Sequence, residues 1–215
     1  FVMKFPVTDR TVRGFLLALK GMGIESYVVN KKDTMTLSAL QRAVRGCRRC
    51  NLASTRRNVV FGEGDNRARV VFVGEAPGEE EDIQGKPFVG RAGKLLDQLI
   101  EQAGQRRESV YICNILKCRP PNNRDPEGSE IALCKNYLLT QIDLIKPKII
   151  CTLGRHAYNT LMNVDERITR VRGILKDYRG MILLPTYHPS FLLRNQDKIK
   201  EALEDMERLK QLLKV

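Results

Sequence analysis

Cys47-Arg-Arg-Cys50 sets two thiols three residues apart, and Cys118 and Cys134 add a second, wider pair. A C-x2-C pair suits dithiol redox chemistry, zinc or an iron–sulfur cluster. Structural zinc usually draws both halves of its ligand set from short spacings, and the sixteen-position step from Cys118 to Cys134 departs from that habit. Four thiolates gathered from distant segments suit a cubane cluster as well as zinc, and spacing alone leaves both open. Cys113 and Cys151 sit inside apolar runs and are expected in the core, because a free cysteine packs as a small hydrophobe. Arginines 48, 49, 56, 57, 119 and 124 crowd the same segments as the paired cysteines. They suit DNA phosphates, or they balance a negatively charged thiolate group.

Three further segments carry polar side chains just past apolar runs. Gly74-Glu-Ala-Pro-Gly78 is followed by four consecutive acids, Glu79 to Asp82, and then by Gly85-Lys-Pro-Phe-Val-Gly90-Arg-Ala-Gly93. Asn114-Ile-Leu-Lys-Cys-Arg-Pro-Pro121 is the second segment, and Tyr187-His-Pro-Ser190 the third. Glycines near a helix start suggest phosphate binding, but Arg91 and Ala92 stand where a P-loop needs Lys and Ser or Thr. A G-x-G-x-x-G fingerprint is missing too, so a nucleotide cofactor is disfavoured. His188 precedes a proline and is held out of helix, which favours it over His156 as a site residue. His156 is expected on a helical surface with a structural role.

The elements that must position these residues are legible as apolar blocks. Arg69–Gly74, Val110–Asn114, Lys148–Leu153 and Met181–Pro185 are nearly continuous apolar runs, as parallel strands covered on both faces require. Helical periodicity separates them: Glu127 to Ile145 carries Ile131, Leu138, Ile142 and Ile145 along one face. Asp125-Pro126 is the expected start of that helix. A helix follows Gly154, and another runs from Asp197 to Leu213. Alternating strands and helices imply an open, mostly parallel α/β sheet whose ligand crevice lies at the strand carboxyl ends. Residues 1–46 carry two helix-like stretches, Thr11 to Met22 and Leu37 to Gly46, and form an N-terminal extension to a domain spanning 47–215.

Composition bounds the function. The 215 residues suffice for one domain with a sizeable core, and Lys and Arg exceed Asp and Glu by 37 to 25, a net charge of +12. That excess points to a polyanionic partner, with plain solubility as the alternative. No apolar run reaches the ~18 residues of a membrane span. The patch Phe15 to Leu19 lacks the length and cleavage site of a signal peptide, so a cytoplasmic location is expected. The chain opens on Phe1 rather than an initiator, and a few residues are expected before it.

Taken together, these motifs resemble the family 4 uracil-DNA glycosylases. Gly74-Glu-Ala-Pro-Gly78 with Glu81-Asp82 and the glycine-rich stretch through Gly93 looks like the family's first motif. Lys117-Cys-Arg-Pro-Pro-Asn-Asn-Arg124 and His188-Pro-Ser-Phe-Leu-Leu-Arg194 look like its later ones. The likeness runs from Cys47 to the C-terminus, and it implies a three-layer α/β/α fold around a four-stranded parallel sheet. It also implies a [4Fe-4S] cluster on Cys47, Cys50, Cys118 and Cys134. The implied activity is hydrolysis of the glycosidic bond of flipped-out deoxyuridine in single- or double-stranded DNA. Phe88 matches the residue that stacks on uracil, Asn114 the one that reads its Watson–Crick edge, and His188 the donor to its oxygen. Glu75 would position the attacking water, helped by backbone groups of Gly74, Ala76 and Gly78. Ala76 stands where the family 1 enzymes carry an Asp, so a strong general base is not evident. Glu81 matches the residue near uracil C5 that excludes a thymine methyl; for it and for Glu75 a loop-holding role is the alternative. Ser190, Leu192 and Arg194 would meet DNA, Leu192 within an apolar wedge or else packed in the core, and Arg194 on phosphate. The expected partner is uracil-containing DNA, bound by a monomer. A cluster-bearing DNA-binding module without catalysis, serving a polymerase or repair complex, is the alternative.

Overall fold

A computed structural model describes residues 35–214. The expected helix over Thr11 to Met22, and most of the N-terminal extension, lie outside the described residues. Each apolar block becomes a strand. β1 is Glu63–Gly64, β2 Val70–Gly74, β3 Tyr111–Asn114, β4 Ile149–Leu153, β5 Lys176–Tyr178 and β6 Met181–Thr186, in spatial order β1-β3-β2-β4-β6-β5. The central four, β3-β2-β4-β6, are parallel. β1 and β5 add antiparallel edges, so the sheet has six strands where the sequence implied four. Those two edge strands are short and half exposed, and such strands lack the apolar run that marks a buried one.

The helices are α1 Leu37–Arg45, α2 Leu52–Thr55, α3 Glu79–Gln84, α4 Arg91–Gln102, α5 Gly128–Ile145, α6 Arg155–Met162, α7 Ile168–Val171, α8 Pro189–Arg194 and α9 Ile199–Lys214. β2 is buried along its whole length because both its faces are covered. Val70 and Phe72 pack against Leu96 and Leu99 of α4 and Met206 and Leu209 of α9. Val71 and Val73 pack against Leu138 and Ile142 of α5 and Tyr158 of α6. The period-two alternation of β side chains thus builds the two outer layers. Cys113 and Cys151 are fully buried, as expected.

Helix α5 starts two residues later than the sequence suggested. Glu127 is its cap, and its backbone N–H donates to Glu130 Oε2 at 2.9 Å. Asp125 is thereby left in the preceding loop. Helix α1 buries Leu40 and Val44 against Tyr137 of α5 and Phe61, so this stretch is packed onto the domain through a small apolar cluster of its own.

Candidate active site and cysteine centre

A cleft of about 580 Å³ opens at the carboxyl ends of the parallel strands. The chain steps from β2 outward to β3 and then returns to β4 on the other side, which leaves a crevice where the connections diverge. Glu75 and Ala76 follow β2, Asn114 ends β3, His156 opens α6 after β4, and His188 follows β6. Beyond the strands, Ile115 N–H donates to Gly74 O and Leu116 N–H to Glu75 O, both at 3.0 Å. The Glu75 turn and Asn114 are therefore locked in register.

Asn114 is buried, and its Oδ1 has no hydrogen-bond partner. Leaving such an acceptor unmet costs about 1–3 kcal/mol, a penalty that a ligand N–H relieves. Its backbone carbonyl is held by Lys117, whose buried Nζ donates to Asn114 O at 2.7 Å and to Gln141 Oε1 at 2.6 Å. Gly74 explains itself here. A Cβ on it would lie 2.3 Å from Asn114 Oδ1 and 2.5 Å from Phe88 Cζ, so only glycine lets both side chains reach this floor.

Phe88 adopts φ +51°, a left-handed conformation that bulky side chains rarely take. Glu81 holds it there. Its Oε1 accepts from Val89 N–H at 2.9 Å and Gly90 N–H at 3.0 Å, and its Oε2 from Gly78 N–H at 3.0 Å. One carboxylate thus pins the turn after β2 to the loop that carries Phe88. Arg107 adds a bond from Nη2 to Pro87 O at 2.6 Å. Glu81 also lines the cleft, and the engagement of both its oxygens by three backbone amides supports the loop-holding alternative beside the expected exclusion of a thymine methyl. The next acid, Asp82, is buried and accepts from Arg57 N–H at 2.9 Å.

His188 has φ −71° and ψ 136°, the extended conformation imposed by Pro189, and caps α8. Its ring lies 5.6 Å from that of Phe88. The backbone N–H of Ser190 donates to Nδ1 at 3.1 Å. An N–H only donates, so Nδ1 is bare and the neutral ring carries its proton on Nε2. Burial, with help from the charges of Arg194 and His156, lowers the His188 pKa to about 4. At neutral pH the side chain is therefore an uncharged hydrogen-bond donor.

Of the residues expected to touch DNA, Leu192 is corrected. Ser190 Oγ lies 2.7 Å from His188 Nδ1, so the hydroxyl positions the imidazole. Leu192 is completely buried in the core facing α4 and α9, because the one-turn helix α8 turns it inward. The neighbouring Leu193 is the exposed side chain, at 41%. Arg194 stands at the rim, exposed, and among the described residues it has no carboxylate partner, unlike Arg124 and Arg155 of the same cleft.

Sequence reasoning placed His156 on an unremarkable helical surface. It lines the cleft instead, with Nε2 3.3 Å from Asp125 Oδ2 and 3.8 Å from Glu75 Oε2. Burial raises the Glu75 pKa; His156 pulls it back, Asp125 raises it and Arg155 lowers it. The useful signal was position: Gly154-Arg-His156 begins a helix directly after a parallel strand, a place where ligands bind.

Cys47, Cys50, Cys118 and Cys134 all face one small cavity beside the sheet, together with Lys117 and Arg56. Arg56 donates from Nη1 to Cys118 Sγ at 3.3 Å and from Nη2 to Cys47 O at 2.8 Å. Arg49 Nη1 is buried and unpartnered, and Lys117 meets only neutral acceptors. Two arginine cations beside four neutral thiols would be uncompensated, whereas four thiolates on a metal group supply the missing negative charge. Tetrahedral zinc would hold its sulfurs about 3.8 Å apart, from a Zn–S bond of about 2.3 Å. Among the described residues the only trio with ligand atoms within 4.8 Å of one another is Glu75, Asp125 and His156, so no three of these sulfurs come that close.

An open α/β sheet with a cleft at its strand ends and a cysteine centre narrows the class considerably. The family model of the uracil DNA glycosylase superfamily matches residues 61–212, and the chain belongs to that superfamily. A type-4 uracil-DNA glycosylase of Thermotoga maritima is 48% identical over 182 residues, covering 83% of this chain and 95% of that protein. That of Saccharolobus solfataricus is also 48% identical, over 82% of this chain and 86% of the relative. A third, from Archaeoglobus fulgidus, is 40% identical over 82% and 93%. Within the superfamily the chain's place is the type-4 family.

Proposed function

We propose that this protein is a DNA-repair hydrolase that removes uracil from DNA and leaves an abasic site. The observation that carries the reading is the unpartnered Asn114 Oδ1 on the cleft floor, beside the Phe88 ring and the Nε2–H of His188. A base inside a duplex is out of reach, so the nucleotide is extruded and stacks on Phe88. The Asn114 amide then meets the N3–H and O4 of uracil with an acceptor and a donor, a pattern that cytosine reverses. Breaking the glycosidic bond puts negative charge on the leaving base, and His188 Nε2–H donates to the oxygen where it develops. Such a donor contributes about 3 kcal/mol, roughly a hundredfold in rate. Glu75 holds the water that attacks the sugar, and Ala76 beside it offers no second carboxylate. Arg194 supplies a phosphate contact at the rim.

The chemistry of the four cysteines supports a [4Fe-4S] cluster on Cys47, Cys50, Cys118 and Cys134. When bound, it supplies an anionic cross-link between the segment after α1, the loop after β3 and helix α5. Among the described residues no helix is long and apolar enough to cross a membrane. We take the enzyme to act as a monomer in the prokaryotic cytosol, since base extrusion needs no symmetry.

The test is uracil release from an oligonucleotide with a single uracil, with His188→Ala and Asn114→Ala in parallel. Release by the wild type, at least about a hundredfold slower in both variants, is expected. No release by the wild type while DNA still binds would favour the non-catalytic module. Visible absorbance with iron and acid-labile sulfide is expected of the purified protein; zinc alone would refute the cluster.

A further inference from the structure

Glu75, Asp125 and His156 come from three separate segments: the turn after β2, the loop before α5 and the first turn of α6. Their polar atoms lie within 4.8 Å of one another at the side of the cleft. A divalent cation is a poor occupant. Arg155 already donates from Nη2 to the same Asp125 Oδ2 at 3.0 Å and from Nε toward His156 Nε2 at 3.3 Å.

We propose that His156 and Asp125 are positioning residues that set the charge of Glu75 in opposite senses, the imidazole beside it favouring the carboxylate of the water-holding group and Asp125 opposing it. The inference rests on the glycosylase reading of the cleft and adds the groups that control its water. His156 Nε2 stands 3.3 Å from Asp125 Oδ2 and 3.8 Å from Glu75 Oε2, so the imidazole sits closer to the exposed acid and leans toward the half-buried one. Asp125 is 67% exposed and Glu75 26%, so Glu75 is the member that needs help to stay charged. Burial pushes its pKa up, and His156 and Arg155 pull it down against the opposing charge of Asp125.

The other charges facing the trio are accounted for. Arg155 lies beside it on α6, and Arg124 next to Asp125 is turned onto Glu127 and Glu130. From the β6–α8 side come His188, neutral at working pH, and the rim residue Arg194.

The geometry makes opposite predictions for the two partners. If Glu75 acts as the carboxylate, activity falls as pH drops through its pKa. Removing His156 takes away a charge that holds this pKa down, so the acid limb moves to higher pH. Removing the Asp125 charge lowers the Glu75 pKa, and the limb moves to lower pH. A unit charge about 4 Å away shifts a carboxyl by about 0.7 pH unit even under full water screening. Shifts of at least about half a unit are therefore expected.

The experiment is single-turnover uracil release by the full chain, with enzyme in excess, from about pH 4.5 to 8. His156→Ala should raise the midpoint of the acid limb, Asp125→Asn should lower it, and His156→Lys, which restores a cation, should bring it back toward the wild type. Glu75→Gln should abolish the limb. Unmoved limbs, two shifts in one direction, a uniform loss of rate without a shift, or a limb that survives Glu75→Gln would each overturn the positioning role while leaving uracil release established. No release by the wild type at any pH would overturn the glycosylase reading itself, and this inference with it.

Discussion

Replacing Glu81 with Ala separates two accounts of this residue. In the structure its carboxylate accepts three backbone N–H groups, two of them from the Phe88 loop. Hydrogen bonds to a charged group contribute about 1.5–3 kcal/mol each, and the freed amides would partly regain water. Phe88 also loses the clamp on its φ of +51°, a conformation that costs a non-glycine residue about 1–2 kcal/mol. Taking the low end for the three amides and allowing solvation to recover half, the ordered loop loses about 2 kcal/mol relative to open alternatives. That corresponds to a fall of roughly thirtyfold in kcat/KM for uracil release. Glu81→Gln keeps one acceptor oxygen but opposes an N–H with its amide group, and an intermediate loss of about tenfold follows. The assay is steady-state release from uracil-containing and thymine-containing oligonucleotides, with visible absorbance as the check that the cysteine centre is intact. A methyl-excluding Glu81 would let the Ala variant cut thymine; a loop-holding one would not. Uracil release within threefold of wild type, or new thymine release, would refute the reasoning.

Gly74→Ala drives a Cβ to within 2.3 Å of Asn114 Oδ1 and 2.5 Å of Phe88 Cζ, so both side chains must leave the cleft floor. Activity should fall at least about a hundredfold with the circular dichroism spectrum unchanged; retention of activity would mean the floor is not where uracil sits. His188 is held neutral by burial, its pKa lowered to about 4, so the unfolded chain binds its proton first as pH falls. The stability from this group is complete above its unfolded pKa of about 6.5 and is lost as pH falls toward 4, about 1–2 kcal/mol between pH 7 and 5 after allowing for its partly exposed face. Urea melts should show a steeper loss over that range for wild type than for His188→Gln, and parallel curves would contradict the assignment. Lys117→Met leaves Gln141 Oε1 and the Asn114 carbonyl without their donor in a buried setting. A loss of about 2–4 kcal/mol by urea denaturation is expected, and an unchanged midpoint would argue against a charged Lys117.

Much of the fold was legible because burial on both faces writes itself into composition. Val70–Val73 and Ile149–Leu153 are apolar throughout, and the turn residues beyond them name the ends of their strands. The edge strands Glu63–Gly64 and Lys176–Tyr178 were not legible, since short strands with half-exposed side chains carry no apolar run. At the cleft, the meeting of Asn114, Phe88 and His188 was legible because each sits at a strand end or beside a proline or glycine that constrains the chain. Leu192 was located correctly in the chain but misjudged in direction. A carboxylate's partners and the inward face of a one-turn helix depend on segments distant in sequence.

The sequence by itself determined the open α/β class, the strand ends as the place of chemistry and the four cysteines as one centre, because those follow from periodicity, turn chemistry and residue type. The tertiary structure alone decided that Asp125, His156 and Glu75 meet, that Lys117 is buried between Asn114 and the cysteines, and that Leu192 faces the core. Those facts depend on how three loops and two helices converge over a twisted sheet, and such convergence is fixed by long-range packing that no local pattern records.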